Sequence, residues 1–230
     1  MYVKQIACFA YSRKSLGRCV AGKQVGNGAP PLWLRPVGGR PTEEISESEC
    51  RFQDGSHPAL LDVIRVPLKD PAPHAHQTEN HLIDPGYYWV RTGKLGWSDL
   101  QKFVDESDGL WDSGDSSRHG VNDRVPMTFA EKAGHSLLLI RPERCSIVVA
   151  QEENSVQGQR ARVRAQFEYR RISYRLSVTD PAMEQAFRSS EPGEYAIPEC
   201  VMCVSLGECF LDHFCYKLCA AIFTPQRSGA

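Results

Sequence analysis

Between Arg160 and Arg175 the chain carries six arginines and a single acid, Glu168. Guanidinium groups grip phosphate through paired hydrogen bonds and stack on bases, so a dense set of them suits capture of a polyanion. Read as a strand, RARVRAQFEY puts Arg160, Arg162, Arg164, Gln166 and Glu168 on one face. Ala161, Val163, Ala165, Phe167 and Tyr169 take the other. After the Arg170–Arg171 step, Arg171, Ser173, Arg175 and Ser177 share a face, opposite Ile172, Tyr174, Leu176 and Val178. A hairpin of the two runs would turn an arginine sheet of charge about +5 outward, and like charges across a strand pair cost stability. The pattern therefore calls for something to neutralise it. Three sources fit: a nucleic-acid or nucleotide phosphate, acids of the chain itself such as Glu152, Glu153 or the Asp-rich stretch beyond residue 105, or a protein partner.

A second set lies near the N-terminus. LWLRPVGGRP places Trp33 and Arg35 on one strand face, with Arg40 just past a glycine turn, where an exposed aromatic could stack a base and the arginines hold its phosphate. The alternative is a core tryptophan with two solvated arginines. Glu79, Asn80 and His81 in ENHLID, and Asn122, Asp123 and Arg124 in VNDRV, could read base edges, but the same residue types satisfy turns and caps, and that structural role is favoured. Tyr169 and Trp89 are further candidate stackers; Tyr174 is expected to face inward.

Metal and catalytic chemistry find weaker support. Cys200, Cys203, Cys209, His213 and Cys215 could supply a tetrahedral zinc site, yet Cys200 and Cys203 bracket Val201 and Met202 in an apolar run that reads as buried thiols, and no second CxxC completes the pattern. Neither zinc nor any other cofactor is expected. His74 and His76 lie in a proline-rich loop without a nearby acid. A carboxylate–histidine site from Glu79, His81 and Asp84 is disfavoured, and the chain has no P-loop, GxSxG or HExxH, so no catalytic residue is nominated.

The elements that must position these groups are short. The 230 residues, with 41% hydrophobic and 24% charged side chains, allow one large domain or two of about 100 residues. Fifteen prolines and eighteen glycines favour strands and loops over long helices. Strands are expected at 2–9, 32–37, 60–68 and 86–93, and a short amphipathic helix at 97–106 with Ser98 as its N-cap. Residues 105–134 are rich in Asp, Ser and Gly and read as a linker between a first unit, 1–104, and a second, 135–230. The second half offers strands at 135–142 and 145–153, the arginine hairpin, a helix from Pro181 capped by Asp180, a strand in ECVMCVSLGE, and a final strand pair or helix at 210–223. This is a mainly β fold with short helices. The strand count fits two small five-stranded barrels or one large sandwich.

No apolar run approaches the ~20 residues of a membrane span. MYVKQIACFAYSRK lacks a signal-peptide core, so a cytoplasmic protein with mostly reduced thiols is expected among its nine cysteines. The net charge of −1 excludes a globally basic nucleic-acid binder, so any such role must be local.

Taken together, LWLRPV…EEIS, LLDVIRVPL, QTENHLID followed by YYW, LW…GVNDRV, and ISYRLSVTDP with VSLGE…CYKLCAAIF resemble the bacterial dual OB-domain proteins. That resemblance covers nearly the whole chain. It implies two OB-like barrels, predicted nucleic-acid binding, an association with prokaryotic defence or DNA-processing systems, and no established enzymatic activity. Cys209 stands after SLGE where proline is expected. The leading expectation is a non-catalytic nucleic-acid binder, single strands favoured, using Trp33, Arg35, Arg40, Asn80, His81, Arg160, Arg162, Arg164, Arg171 and Arg175. The rivals are an adaptor that docks a protein partner in a larger assembly, and an enzyme acting on nucleotides or nucleic acid.

Overall fold

Strand β1 (Tyr2–Lys14) is buried at every residue from Ile6 to Ala10, which a strand with one wet face would not be. Its neighbours explain this. β1 pairs antiparallel with β2 (Gly17–Gln24) along one edge and with β4 (Asp62–Pro71) along the other. β3 (Trp33–Val37) pairs with β2, runs parallel to β5 (Asn80–Ile83), and β5 returns antiparallel to β4. The order β1-β2-β3-β5-β4 thus comes back to β1 and closes a five-stranded barrel, with β6 (Val90–Lys94) added on β4. Closure needs a sharp bend in β1, and a bulge between Cys8 and Ala10 supplies it. Gly22 sits opposite the bulge, where a Cβ would collide with the Ala7 carbonyl. Ile6, Cys8, Val20, Leu34, Ile64, Val66, Leu68 and Trp89 fill the interior.

The computed structural model describes residues 1–26, 31–154 and 158–228, with the backbone alone for 153, 154 and 158–160. The chain divides into two compact units. The first comprises Met1–Phe103 with Gly134–Leu137 and the 3-10 turn Gln226–Ser228; the second comprises Val104–Ala133 and Leu138–Pro225. The expected helix at 97–106 is a 3-10 segment, Trp97–Phe103, and it is Asp99 rather than Ser98 whose side chain accepts from the Gly96 amide.

The second unit contains β7 (Arg124–Pro126), α1 (Met127–Ala133), β8 (Leu137–Ile140), β9 (Arg144–Asn154), β10 (Gly158–Tyr169), β11 (Ile172–Val178), α2 (Pro181–Phe187), β12 (Gly193–Ile197), β13 (Val201–Cys209) and β14 (Phe214–Phe223). Its sheet runs β12-β9-β10-β11-β14-β13-β8, with β7 on β14. β11 and β14 are parallel. β12 lies on β9 and β13 on β14, and three residues join β12 to β13. Asp180 caps α2 as expected, accepting from the amides of Ala182 and Met183 at 3.0 and 3.2 Å. Residues 210–223 resolve into a turn and strand β14.

Residues 105–133 of the stretch expected as a linker are part of this second unit. Leu110 is fully buried in its core, β7 pairs with β14, and Val125 and Ala130 form a small cluster with Leu206 and Cys215. Few apolar residues sufficed because each is placed on an existing core. The cysteines follow the thiol reading in part: Cys200 and Cys203 are buried and in no disulfide, whereas Cys209 and Cys215, cross-strand partners on β13 and β14, are joined as a disulfide. His213 lies in the turn between them with a left-handed φ of 62°. Among the described residues, no helix is long and apolar enough to cross a membrane.

Candidate nucleic-acid interface

The arginine strands form the expected hairpin, Tyr169 facing Ile172 and Arg164 facing Ser177. Val163, Ala165, Phe167, Tyr174, Leu176 and Val178 are buried, and Arg162, Arg164, Gln166, Glu168 and Arg175 take the outer face, so the period-two reading of faces holds. The charge of that face differs from expectation. β9 lies against β10 and brings Glu152 to Arg164 in a bidentate pair at 2.7 and 3.1 Å, with Ser177 Oγ accepting a third bond at 3.0 Å. Burial would raise the Glu152 carboxyl, but the Arg164 hydrogen bonds and charge outweigh it and hold its pKa below the usual carboxylate range. Arg144 pairs with Glu168 at 3.0 Å, and Arg175 donates twice to Gln166 Oε1. Glu194 of β12 accepts from Ser146 and Gln166. The hollow over this face, about 660 Å³, is bordered by Glu143, Glu168 and Glu194 against one lining arginine, Arg144. Arg162 and Arg171 remain without an ion pair among the described residues, and the Arg160 side chain lies outside them.

The N-terminal set also departs from its expected exposure. β3 is an inner strand of the barrel wall, and Arg35 is only 2% exposed. Its Nη2 donates to Ser136 Oγ at 2.7 Å and lies 3.4 Å from Glu79 Oε1, while Ser136 Oγ itself donates to Glu79. Asn80, fully buried, accepts from Arg35 and donates to Glu43 and Gln77. Arg35 and Asn80 are therefore corrected from phosphate and base contacts to members of a buried polar network. Trp33 is half-buried, edge-on to Phe9, with the Lys23 ammonium 5.2 Å from its ring. Arg40 is exposed but bound to Glu49 at 2.6 Å. His81 Nδ1 and the Tyr2 hydroxyl share a hydrogen bond, and burial followed by the nearby Lys4 charge pushes the His81 pKa down. Trp89 is fully buried, and Tyr169 is buried with its hydroxyl on the Ser107 carbonyl at 2.9 Å, so neither can stack a base. Tyr174 faces inward as expected, stacked on Phe167. Asn122 and Asp123 bind turn groups, the Gly114 amide and the Ser117 amide and hydroxyl.

A different set of residues comes together on the first unit. Asp84 accepts from the Gly86 amide and shapes the turn DPGY; Trp89, five residues on, anchors in the barrel core. Between them Tyr87 and Tyr88 are held out, 54% and 48% exposed. They border a groove of about 1040 Å³ whose lining includes Val3, Lys4, Gln5, Leu32 and Arg65. Arg65 stands opposite Gln5 on β1 and Val90 on β6, and its Nε donates to Gln5 at 3.4 Å. The Arg51 guanidinium lies 5.4 Å over the Tyr88 ring. Among the described residues, no carboxylate lines this groove. The signal in sequence was the doubled tyrosine and an arginine inside an otherwise apolar strand, VIRV.

Two small β-barrel units, the first closed as β1-β2-β3-β5-β4, define a protein of paired OB-like domains. The chain belongs to the dual OB-containing domain family, whose model matches residues 4–222. No curated protein and no solved structure matches the chain.

Proposed function

We propose that the protein binds single-stranded nucleic acid, and that the groove of the first unit receives it. Tyr87 and Tyr88 stack successive bases; Arg65 and Lys4 meet the phosphates. The observation that carries this reading is the juxtaposition of two exposed adjacent tyrosines with two cations in a groove whose described lining holds no carboxylate. Stacking on aromatic rings tolerates any base, so little sequence preference is expected, and a flexible single strand can present its base faces where a duplex cannot. OB-type barrels are a common scaffold for this task.

The test is fluorescence anisotropy with labelled single- and double-stranded DNA and RNA at several salt concentrations. Single strands should bind more tightly than duplexes, with affinity falling steeply with salt as counterions are released. Tyr87→Ala with Tyr88→Ala should weaken single-strand binding by roughly tenfold to a hundredfold. Arg65→Gln should make the salt dependence shallower. Binding that survives the double tyrosine change would overturn the groove as the site. No binding to any probe at low salt would overturn the nucleic-acid reading and leave the groove, with Val3, Leu32 and Val90, as a surface for a protein.

A further inference from the structure

The β10–β11 hairpin turns through two residues, Arg170 and Arg171, and both occupy the left-handed region, with φ of 54° and 63°. A two-residue turn of this kind is the one that Asn-Gly fills at least cost, because side chains with a Cβ crowd the backbone there. Two arginines are an expensive choice. Local packing accounts for little of it. Arg171 is exposed and makes no side-chain hydrogen bond or ion pair among the described residues. Arg170 is exposed too; its Nε donates to the Ser107 carbonyl at 3.0 Å, and its guanidinium lies 5.6 Å from the Tyr169 ring. Glu106 and Asp108 flank Ser107, yet neither forms an ion pair with the turn, and Glu168 is taken by Arg144. Other arginines of the same unit, Arg144 and Arg164, are matched to carboxylates.

We infer that the Arg170–Arg171 turn is a phosphate-contact point, a two-guanidinium clamp for the phosphodiester backbone of a nucleic acid, built at the cost of a strained turn. Strained backbone retained at an exposed position is a pointer to function. Two adjacent guanidinium groups with no carboxylate partner among the described residues can bridge neighbouring phosphates, or grip one through paired hydrogen bonds. The inference rests on the reading that the protein binds nucleic acid, though not on the groove of the first unit.

Four proteins separate the possibilities: the full chain, Arg170→Asn with Arg171→Gly, Arg170→Gln with Arg171→Gln, and Tyr87→Ala with Tyr88→Ala. Each is titrated with oligo(dT) and with a duplex across a salt series, and its thermal midpoint is recorded. Both turn variants should bind several-fold more weakly at low salt. Their plots of log affinity against log salt should be shallower by about one to two phosphates' worth of counterion release. The Asn-Gly variant should melt roughly 2–8 °C higher, and the Gln pair, which keeps the strain and loses the charge, should not. Turn variants with an unchanged salt slope, while the full chain binds and the tyrosine variant does not, would overturn this inference and leave the groove standing. Turn variants that lose affinity while the tyrosine variant keeps it would support the turn and overturn the groove. If the full chain binds neither probe, both fall.

Discussion

In the first unit the strands follow β1-β2-β3-β5-β4 with β3 and β5 parallel; in the second they follow β9-β10-β11-β14-β13 with β11 and β14 parallel. The frames correspond, and the surfaces they carry do not. The hollow of the first is bordered by exposed tyrosines, one lysine and one arginine; that of the second by three glutamates and one arginine, with its aromatic residues Phe167 and Tyr174 buried. The unit with the denser arginine sequence is the one whose outer sheet face is more nearly neutral. Arginine density along a chain measures charge before pairing; the strand alongside decides what is left.

Buried cations sharpen the contrast. Arg35 in the first unit meets a carboxylate, Glu79, at 3.4 Å, and Lys217 in the second forms no ion pair among the described residues: its Nζ donates to the carbonyls of Asp112 and Asn122 and lies 5.2 Å from the Tyr174 ring. The largest expected effect is therefore at Glu79. Removing one member of a buried pair strands the other charge, so Glu79→Ala should cost about 3–5 kcal/mol in urea denaturation. Replacing both partners, Arg35→Met with Glu79→Leu, should recover much of that. A loss below about 1 kcal/mol would mean that Arg35 reaches solvent readily. Its place among phosphate ligands would then have to be restored.

Next in size is a pH effect confined to the second unit. Burial pushes the Lys217 ammonium down to about 8 from its ordinary 10.5, against the opposing pull of Asp112, Asp123 and Asp115. Below about pH 8 both the folded and unfolded chains hold the proton. Between about 8 and 10.5 the unfolded chain keeps a proton that the folded chain has released, so stability rises with pH through that window, by at most roughly 1.4 kcal/mol per pH unit. Lys217→Met should remove the rise. The difference between the two denaturation midpoints from pH 7.5 to 10, in which the other titrating groups cancel, is the measurement. A flat difference would show that the carbonyls stabilise the ammonium as well as water does.

Period two was enough to orient the arginine hairpin: Val163, Phe167, Tyr174 and Leu176 went inward because apolar alternation over ten residues leaves one register that buries them. Asp180 was legible as a cap for the same local reason. What could not be read were partners set by pairing between distant segments. Glu152 meets Arg164 through the β9–β10 ladder, and Arg35 meets Ser136 across 101 positions of sequence. Neither follows from any local pattern. The tyrosine groove failed to stand out for a related reason. Trp89, the most hydrophobic-looking ring of YYWV, is the buried anchor, and its burial is what leaves Tyr87 and Tyr88 outside. The stretch 105–134 read as a linker because its apolar residues are sparse, while Leu110 and Val125 each complete a core built by other strands.

The smallest expected effect tests whether pairing is what silences the arginine face. Its described outward residues include Arg144, Arg162, Arg164 and Arg175 against Glu152, Glu168 and Glu194. Glu152→Gln keeps a hydrogen-bond acceptor for Arg164 and removes the charge, leaving four arginines against two glutamates. Both side chains are only 12% exposed, yet the amide still offers Arg164 an acceptor, so the fold should persist at a cost of about 1–3 kcal/mol. Affinity for a nucleic-acid strand should rise roughly twofold to fivefold at low salt, and the gain should fade as salt screens it. Arg164→Gln combined with Glu152→Gln, by contrast, should leave affinity nearly unchanged, because the two charges removed already cancel. If that double variant weakens binding as much as Arg65→Gln does, the second unit contacts the strand through this face despite its glutamates. The carboxylates would then be counter-ions that a phosphate displaces, and the two units would differ in how tightly their cations are held in reserve rather than in whether they bind.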